Sequence, residues 1–196
     1  MWYQAWMRYA WNPDYEETTE KLYWTKELAS YFGCSDQAGA EVLEALEKIG
    51  ECAPRILRRI GITEGNRQTM ALGMTMSELT NVKKYRPNYE LWKSVSTPGE
   101  QPDEYVLKNI KGERHFGETP VEMARDVLRF SEEALAVIEK AGESVTKNRE
   151  EYERYVTDIQ ATRLICQVYA KKVEAAVKVL TYKYTMDEEL KGDVSI

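Results

Sequence analysis

The sequence predicts an all-α fold: a helical bundle with one long C-terminal helix and an extended irregular insertion. Three observations predict it. From about residue 148 to 184, Tyr152, Val156, Ile159, Cys166, Tyr169, Val173, Ala176 and Leu180 recur at three- and four-residue steps, the spacing of one helix face. Upstream, Thr119-Pro120-Val121-Glu122 has the form of a helix start, with a threonine cap, proline at the first helical position and a glutamate reaching back. No alternation of apolar and polar residues leading into a hairpin turn occurs anywhere in the chain.

The first helix reads Met1-Trp2-Tyr3-Gln4-Ala5-Trp6-Met7-Arg8-Tyr9-Ala10-Trp11 and breaks at Asn12-Pro13-Asp14, because proline disfavours helical geometry in the residue before it. Trp2, Trp6 and Tyr9 share one face, and Tyr3, Met7 and Ala10 a neighbouring one. A helix apolar over most of its circumference needs cover on several sides. The expectation is that residues 1–13 end a preceding domain and that Trp2, Trp6 and Tyr9 form a domain interface. The alternative is a terminal helix buried in the chain's own core. The stretch has no basic region, apolar core or cleavage site of a signal peptide.

Asp14 is expected to cap the second helix, which runs through Leu22, Tyr23, Leu28 and Tyr31 to a stop at Gly33. Ser35 caps a third, along which Val42, Leu46, Ile49, Ala53, Ile56 and Ile60 recur. Pro54 lies inside this run and removes the bond to the Gly50 carbonyl, so the third helix is expected to kink there and to end at Gly61. Residues 62–118 form the irregular insertion, with Pro87, Pro98 and Pro102 and no sustained period. Short helices are expected at 75–83, 89–95 and 104–111, and Tyr85, Tyr89, Trp92 and Tyr105 argue for order. The helix opened by Thr119 places Val121, Ala124, Leu128, Ser131, Leu135 and Ile138 on its face and ends at Gly142. The last helix, at 1.5 Å per residue, is roughly 50 Å long. Residues 1–196 thus read as a single helical domain.

Composition bounds the function. The 196 residues include 27 Lys+Arg against 33 Asp+Glu, a net charge of −6. This balance excludes general binding to nucleic acid, which needs a basic face. With 43% hydrophobic and 31% charged residues, the chain reads as a folded domain. No apolar run approaches the roughly 18 residues of a membrane span. The 5 Trp and 13 Tyr against 3 Phe favour aromatic rings with a polar handle, buried at one end and reaching a partner at the other. Cys34, Cys52 and Cys166 are odd in number and far apart, which reads as free buried thiols rather than a disulfide framework.

Catalytic motifs are scarce. His115 is the sole histidine, so no His-based zinc site or di-iron Glu-x-x-His pair fits within the chain, and no metal or cofactor is expected. No Walker A, GxGxxG or GxSxG motif occurs. Ser144 and Lys147 have S-x-x-K spacing, but Ser144 precedes a helix and is expected to cap it. Glu150, Glu151, Glu153 and Asp158 offer carboxylate pairs of the kind glycosidases hold about 5 or 6.5–9.5 Å apart, as does any acidic helix face. The most suggestive cluster is Lys111-Gly-Glu-Arg-His-Phe-Gly-Glu118. Arg114 and His115 either bind a sugar hydroxyl or carboxylate, or serve structure, with His115 on a buried carbonyl and Arg114 on a surface acid.

Trp6-Met7-Arg8-Tyr9-Ala10-Trp11-Asn12-Pro13-Asp14, then Tyr23-Trp24 and Ser30-Tyr31-Phe32-Gly33, resemble the junction between a (β/α)8 barrel and the helical C-terminal module of large multidomain glycoside-hydrolase-like proteins. The α-glucuronidase-type and related polysaccharide-degrading proteins of Bacteroides-like bacteria are the nearest analogues. Gly117-Glu118-Thr119-Pro120 and Tyr169-Ala170-Lys171-Lys172 fit the same module. The resemblance implies that the catalytic carboxylates lie on an absent barrel and that no catalytic residue falls on this chain. It implies a preceding catalytic barrel as partner, a periplasmic or secreted parent, and a glycan-site rim whose candidates are Tyr85, Arg86, Trp92, Arg114 and His115. Two other readings are an independent helical interaction or scaffold domain, and a small enzyme with a site near His115.

Overall fold

The computed structural model describes residues 2–12, 14, 16–60, 75–81 and 98–187. The helices are α1 (Trp2–Trp11), α2 (Glu17–Phe32), α3 (Asp36–Ile60), the single turn α4 (Met76–Leu79), α5 (Pro102–Lys111), α6 (Pro120–Ala141) and α7 (Arg149–Thr185), with a 3-10 turn at Gly142–Ser144. Among the described residues there is no strand, only an isolated parallel bridge between Gly99 and Glu118. The fold is an all-α bundle: α2 packs along α3, α3 along α6, α6 along α7, and α5 against α7.

α2 starts later than expected. Its cap position is Glu16, which makes no side-chain cap bond, and Asp14 lies two residues outside, too far upstream to serve the first turn. α2 stops at Gly33 in the left-handed region (φ 62°). That end is tied to the turn before α7, since Thr146 and Lys147 N–H donate to the Phe32 carbonyl at 3.1 and 2.9 Å and Asn148 donates to Tyr31 O at 2.8 Å. Ser35 caps α3 by accepting from the Ala38 amide at 3.2 Å. Gly39 lets the two helices touch, because a Cβ there would sit 2.4 Å from the Thr25 carbonyl.

α3 runs through Pro54 without a break. Pro54 and Gly50 are both exposed, so the carbonyl whose bond proline removes lies on the solvent side of the helix, where it is not buried without a partner. The buried stripe of α3 is Ala38, Val42, Ala45, Cys52 and Ile56, continued by Arg59. Cys52 takes the interior place expected of Ala53, which is exposed. The Ile60 side chain and Gly61 lie outside the described residues. So does everything at 82–97, including the expected helix at 89–95, while the first and third short helices are found as α4 and α5.

α6 begins at the expected capping box: Glu122 N–H donates to Thr119 Oγ1 at 3.2 Å, and Thr119 N–H donates to Glu122 Oε2 at 2.9 Å. Its buried side, however, is Pro120, Met123, Ala124, Val127, Ser131, Ala134, Ile138 and Ala141. Val121, Leu128 and Leu135 are half-buried flanks. The helix lies between α3 and α7, so two contact stripes replace one, and alanine and serine line the interior where backbones approach closely. Gly142 has helical φ (−60°), so the chain continues into the 3-10 turn. Ser144 donates to the Ala141 carbonyl at 3.1 Å and does not cap α7, whose cap position is Asn148.

α7 has 37 residues, ~55 Å at 1.5 Å each. Tyr152, Ile159, Cys166, Tyr169, Val173, Ala176 and Leu180 are buried along it, and Val156 is half-buried. Two apolar clusters result. Leu28, Phe32, Val42, Ile138, Tyr152 and Ile159 fill one end, and Cys52, Ile56, Met123, Val127, Tyr169 and Val173 the other. Tyr152 donates to the Ile138 carbonyl, and burial pushes its phenol up to about 12. All three cysteines are free, Cys52 and Cys166 buried and Cys34 half-buried. The Cys166 thiol beside it and burial push the Cys52 thiol up, which disfavours its thiolate.

Candidate functional site: a buttressed loop and an aromatic helix

The segment 98–119 folds around the buried Glu100 carboxylate. Pro102 opens α5, and the Gln101 amide donates to Glu104 at 3.0 Å. Gly112 closes the helix with φ 66°. Glu118 N–H donates to Pro98 O and Glu100 N–H to Glu118 O, both at 3.0 Å. Gly117 makes this approach possible: its φ is +70°, and a Cβ would lie 2.2 Å from the Pro98 carbonyl.

Inside the loop, the Glu100 carboxylate is 3% exposed and accepts from Lys108 Nζ at 2.6 Å. It also accepts from the Phe116 amide at 2.7 Å and faces His115 Nδ1 at 2.7 Å. Burial alone would raise the Glu100 carboxyl, but these three donors outweigh it and hold it below the usual carboxylate range. His115 Nε2 lies 3.0 Å from Asn109 Oδ1, and the ring stacks on Tyr105 with centroids 4.7 Å apart. Glu118 ties the loop to α3, accepting from Arg55 at 3.2 Å and from the buried Arg59 at 3.1 Å.

Arg114 and His115 are placed differently by this geometry. His115 braces a buried carboxylate, not a carbonyl. Arg114 is exposed and makes no ion pair among the described residues. Beside it Phe116 is 68% exposed. Tyr85, Arg86 and Trp92 lie outside the described residues. Sequence reasoning missed Glu100, whose partners are 8 to 16 positions away and leave no local signal.

α1 is held on α2 by its polar side. Arg8 donates two bonds to Glu20 at 2.8 and 2.7 Å and lies over the Tyr23 ring at 3.6 Å from the centroid. Trp24 Nε1 donates to Tyr9 Oη at 2.9 Å. Tyr9 therefore faces the bundle, half-buried, whereas Trp6 is 65% and Trp11 91% exposed, with Tyr3 and Met7 beside them. The Trp2 side chain lies outside the described residues. A cleft of about 510 Å³ opens between Tyr9, Trp24, Glu20, Lys48 and Phe130.

Three of the buried acids, Glu20, Glu41 and Glu100, each meet a cation, Arg8, Lys140 and Lys108, and these three are held below the usual range. A general acid needs the opposite shift. Among the described residues, no group of three His, Cys, Asp or Glu is placed to hold a metal ion, and no helix is long and apolar enough to cross a membrane.

Among solved structures, the chain is similar to a GH138 enzyme targeting pectin rhamnogalacturonan II, with a TM-score of 0.90 and 37% identity over 98% of this chain and 28% of that one. No family model and no curated protein matches. This chain is therefore related to a glycoside hydrolase, and it spans less than a third of the length of the enzyme it matches.

Proposed function

We propose that the chain is a non-catalytic helical module of a carbohydrate-active, glycoside-hydrolase-like protein. In this reading it packs through α1 on a catalytic barrel that precedes it and borders the glycan site with its insertion. The observation that carries this is the similarity over 98% of this chain to only 28% of a GH138 enzyme, which leaves most of that enzyme for other parts. Trp2, Trp6 and Tyr9 form that interface in this reading, and the 65% exposure of Trp6 supports it. There Trp6 meets the barrel, while Tyr9 fixes the helix to Trp24. Rim roles fall to Tyr85, Arg86, Trp92, Arg114 and His115, with His115 acting as a brace. The parent is then a periplasmic or secreted polysaccharide-degrading protein of the α-glucuronidase or GH138 kind, with a pectic glycan as first substrate to test.

Purified chain incubated with pectic oligosaccharides is expected to release no new reducing ends. Hydrolysis that scales with chain concentration overturns the proposal. Light scattering separates the scaffold alternative. A concentration-independent dimer abolished by Trp6→Asp identifies α1 as a self-association face, whereas a monomer supports docking to a barrel.

A further inference from the structure

We propose that the outer face of α7 pairs antiparallel with the same face of a second copy of this chain, about a two-fold axis at the middle of the helix. The inner side of α7 is buried along Cys166, Tyr169 and Val173, whereas Leu164 and Val168 are 58% and 52% exposed. Apart from Tyr184 near its end, these two are the exposed large apolar side chains of α7, and they flank the centre of its 37 residues. Thr157 and Ala161 extend the stripe, small and exposed, at the three- and four-residue steps of one helix face. Beside the stripe runs a groove of about 760 Å³ that reaches Leu128 of α6 and Met76 of α4, so a helix laid on α7 finds a seat rather than a flat contact. No residue of α1 lines it, which makes this face separate from the α1 docking face.

The charges on either side of the stripe select the occupant. Residues 149–158 carry four acids against two arginines, and residues 171–183 four lysines against one acid. These counts include both members of local pairs such as Arg149–Glu153 and Lys171–Glu174. Each end therefore keeps a surplus, negative before the apolar centre and positive after it. A face of this pattern is complementary to itself when turned end for end, the arrangement a two-fold axis produces. Antiparallel pairing sets the acidic end on the basic one, whereas parallel pairing sets like on like. The apolar centre fixes the register. With Leu164 against Val168 of the second copy, the two helices overlap along nearly their whole ~55 Å, and Glu153 comes to the level of Lys178 on the second copy. Apolar burial supplies the attraction and the flanking charges the direction.

The test is light scattering of the full 196-residue chain over a dilution series. The expected result is a mass about twice 22.7 kDa that falls toward the monomer on dilution and in high salt. Leu164→Asp combined with Val168→Asp is expected to be monomeric throughout with unchanged helical circular dichroism, since both side chains are exposed, and Trp6→Asp is expected to remain dimeric. Because the two-fold axis repeats each contact, Glu153→Lys is expected to weaken the dimer about tenfold, and adding Lys178→Glu to restore it. A monomer at every concentration, or a dimer that persists with both aspartates in place, overturns the proposal. Where the double variant loses its helical signal, the exchange of Glu153→Lys and Lys178→Glu decides alone, and failure of the second to rescue the first overturns the antiparallel pairing. The barrel reading is tested separately, since a dimer that survives Trp6→Asp leaves α1 free to dock.

Discussion

The bundle and the 98–119 loop are held together by opposite means. Between α2, α3, α6 and α7, many apolar side chains share the work, and Phe32 alone meets Tyr152 and Tyr155 edge-on with centroids 5.2 and 5.8 Å away. In the loop a single carboxylate, Glu100, gathers a lysine, a histidine and a backbone amide. Apolar burial is non-directional and spread over the whole interface, so the bundle yields as a unit. The polar knot depends on geometry at one residue, so it yields locally.

Breaking each in turn sharpens that contrast. The largest effect is expected from Phe32→Ala, which removes a fully buried ring and lowers global stability by about 3–5 kcal/mol, read from the urea midpoint. Glu100→Ala strands the Lys108 and Phe116 donors at a cost of about 1.5–3 kcal/mol. Its signature is local, with hydrogen exchange accelerating at the Phe116 and Glu118 amides while α6 and α7 stay protected. Acid acts through the same group. The Glu100 carboxyl is lowered in the folded state, so its contribution is present above the unfolded value of about 4 and lost as pH falls through the lower folded value. Exchange in the loop should therefore rise with acid before the bundle unfolds, and Glu100→Gln should remove this pH dependence.

Gly117→Ala places a Cβ against the Pro98 carbonyl at positive φ and is expected to cost about 1–3 kcal/mol, with loss of protection at the Glu100 amide. Thr119→Ala removes the α6 cap for about 1 kcal/mol, measured by thermal unfolding. Phe116→Ala is expected to change stability by no more than about 0.5 kcal/mol. A larger loss would mean that the exposed ring supports the fold.

The same contrast governs what the amino-acid order reveals. α7 was legible along its whole buried face because it packs on one side, and a single stripe is a periodic signal. The Gly33 stop and the Thr119 box were legible because caps are local. The face of α6 was half-legible: Ala124, Ser131 and Ile138 are buried as expected, but a helix covered by both α3 and α7 has no single stripe, and its interior alanines carry little hydrophobic weight. Cys52 replaced Ala53 for a similar reason: two small neighbours cannot be ranked before the partner helix is known. The loop was half-legible. His115 stood out as the sole histidine, but the carboxylate that gives it a role lies 15 residues upstream, and long-range pairing leaves no pattern in sequence.

The most direct measurement of whether this bundle serves a larger hydrolase is the intact mass of the native polypeptide that contains it. A chain several times heavier than 22.7 kDa, with peptides of a barrel N-terminal to Trp2, is the expected result. A native polypeptide of 22.7 kDa, with no catalytic barrel joined to α1, would contradict it.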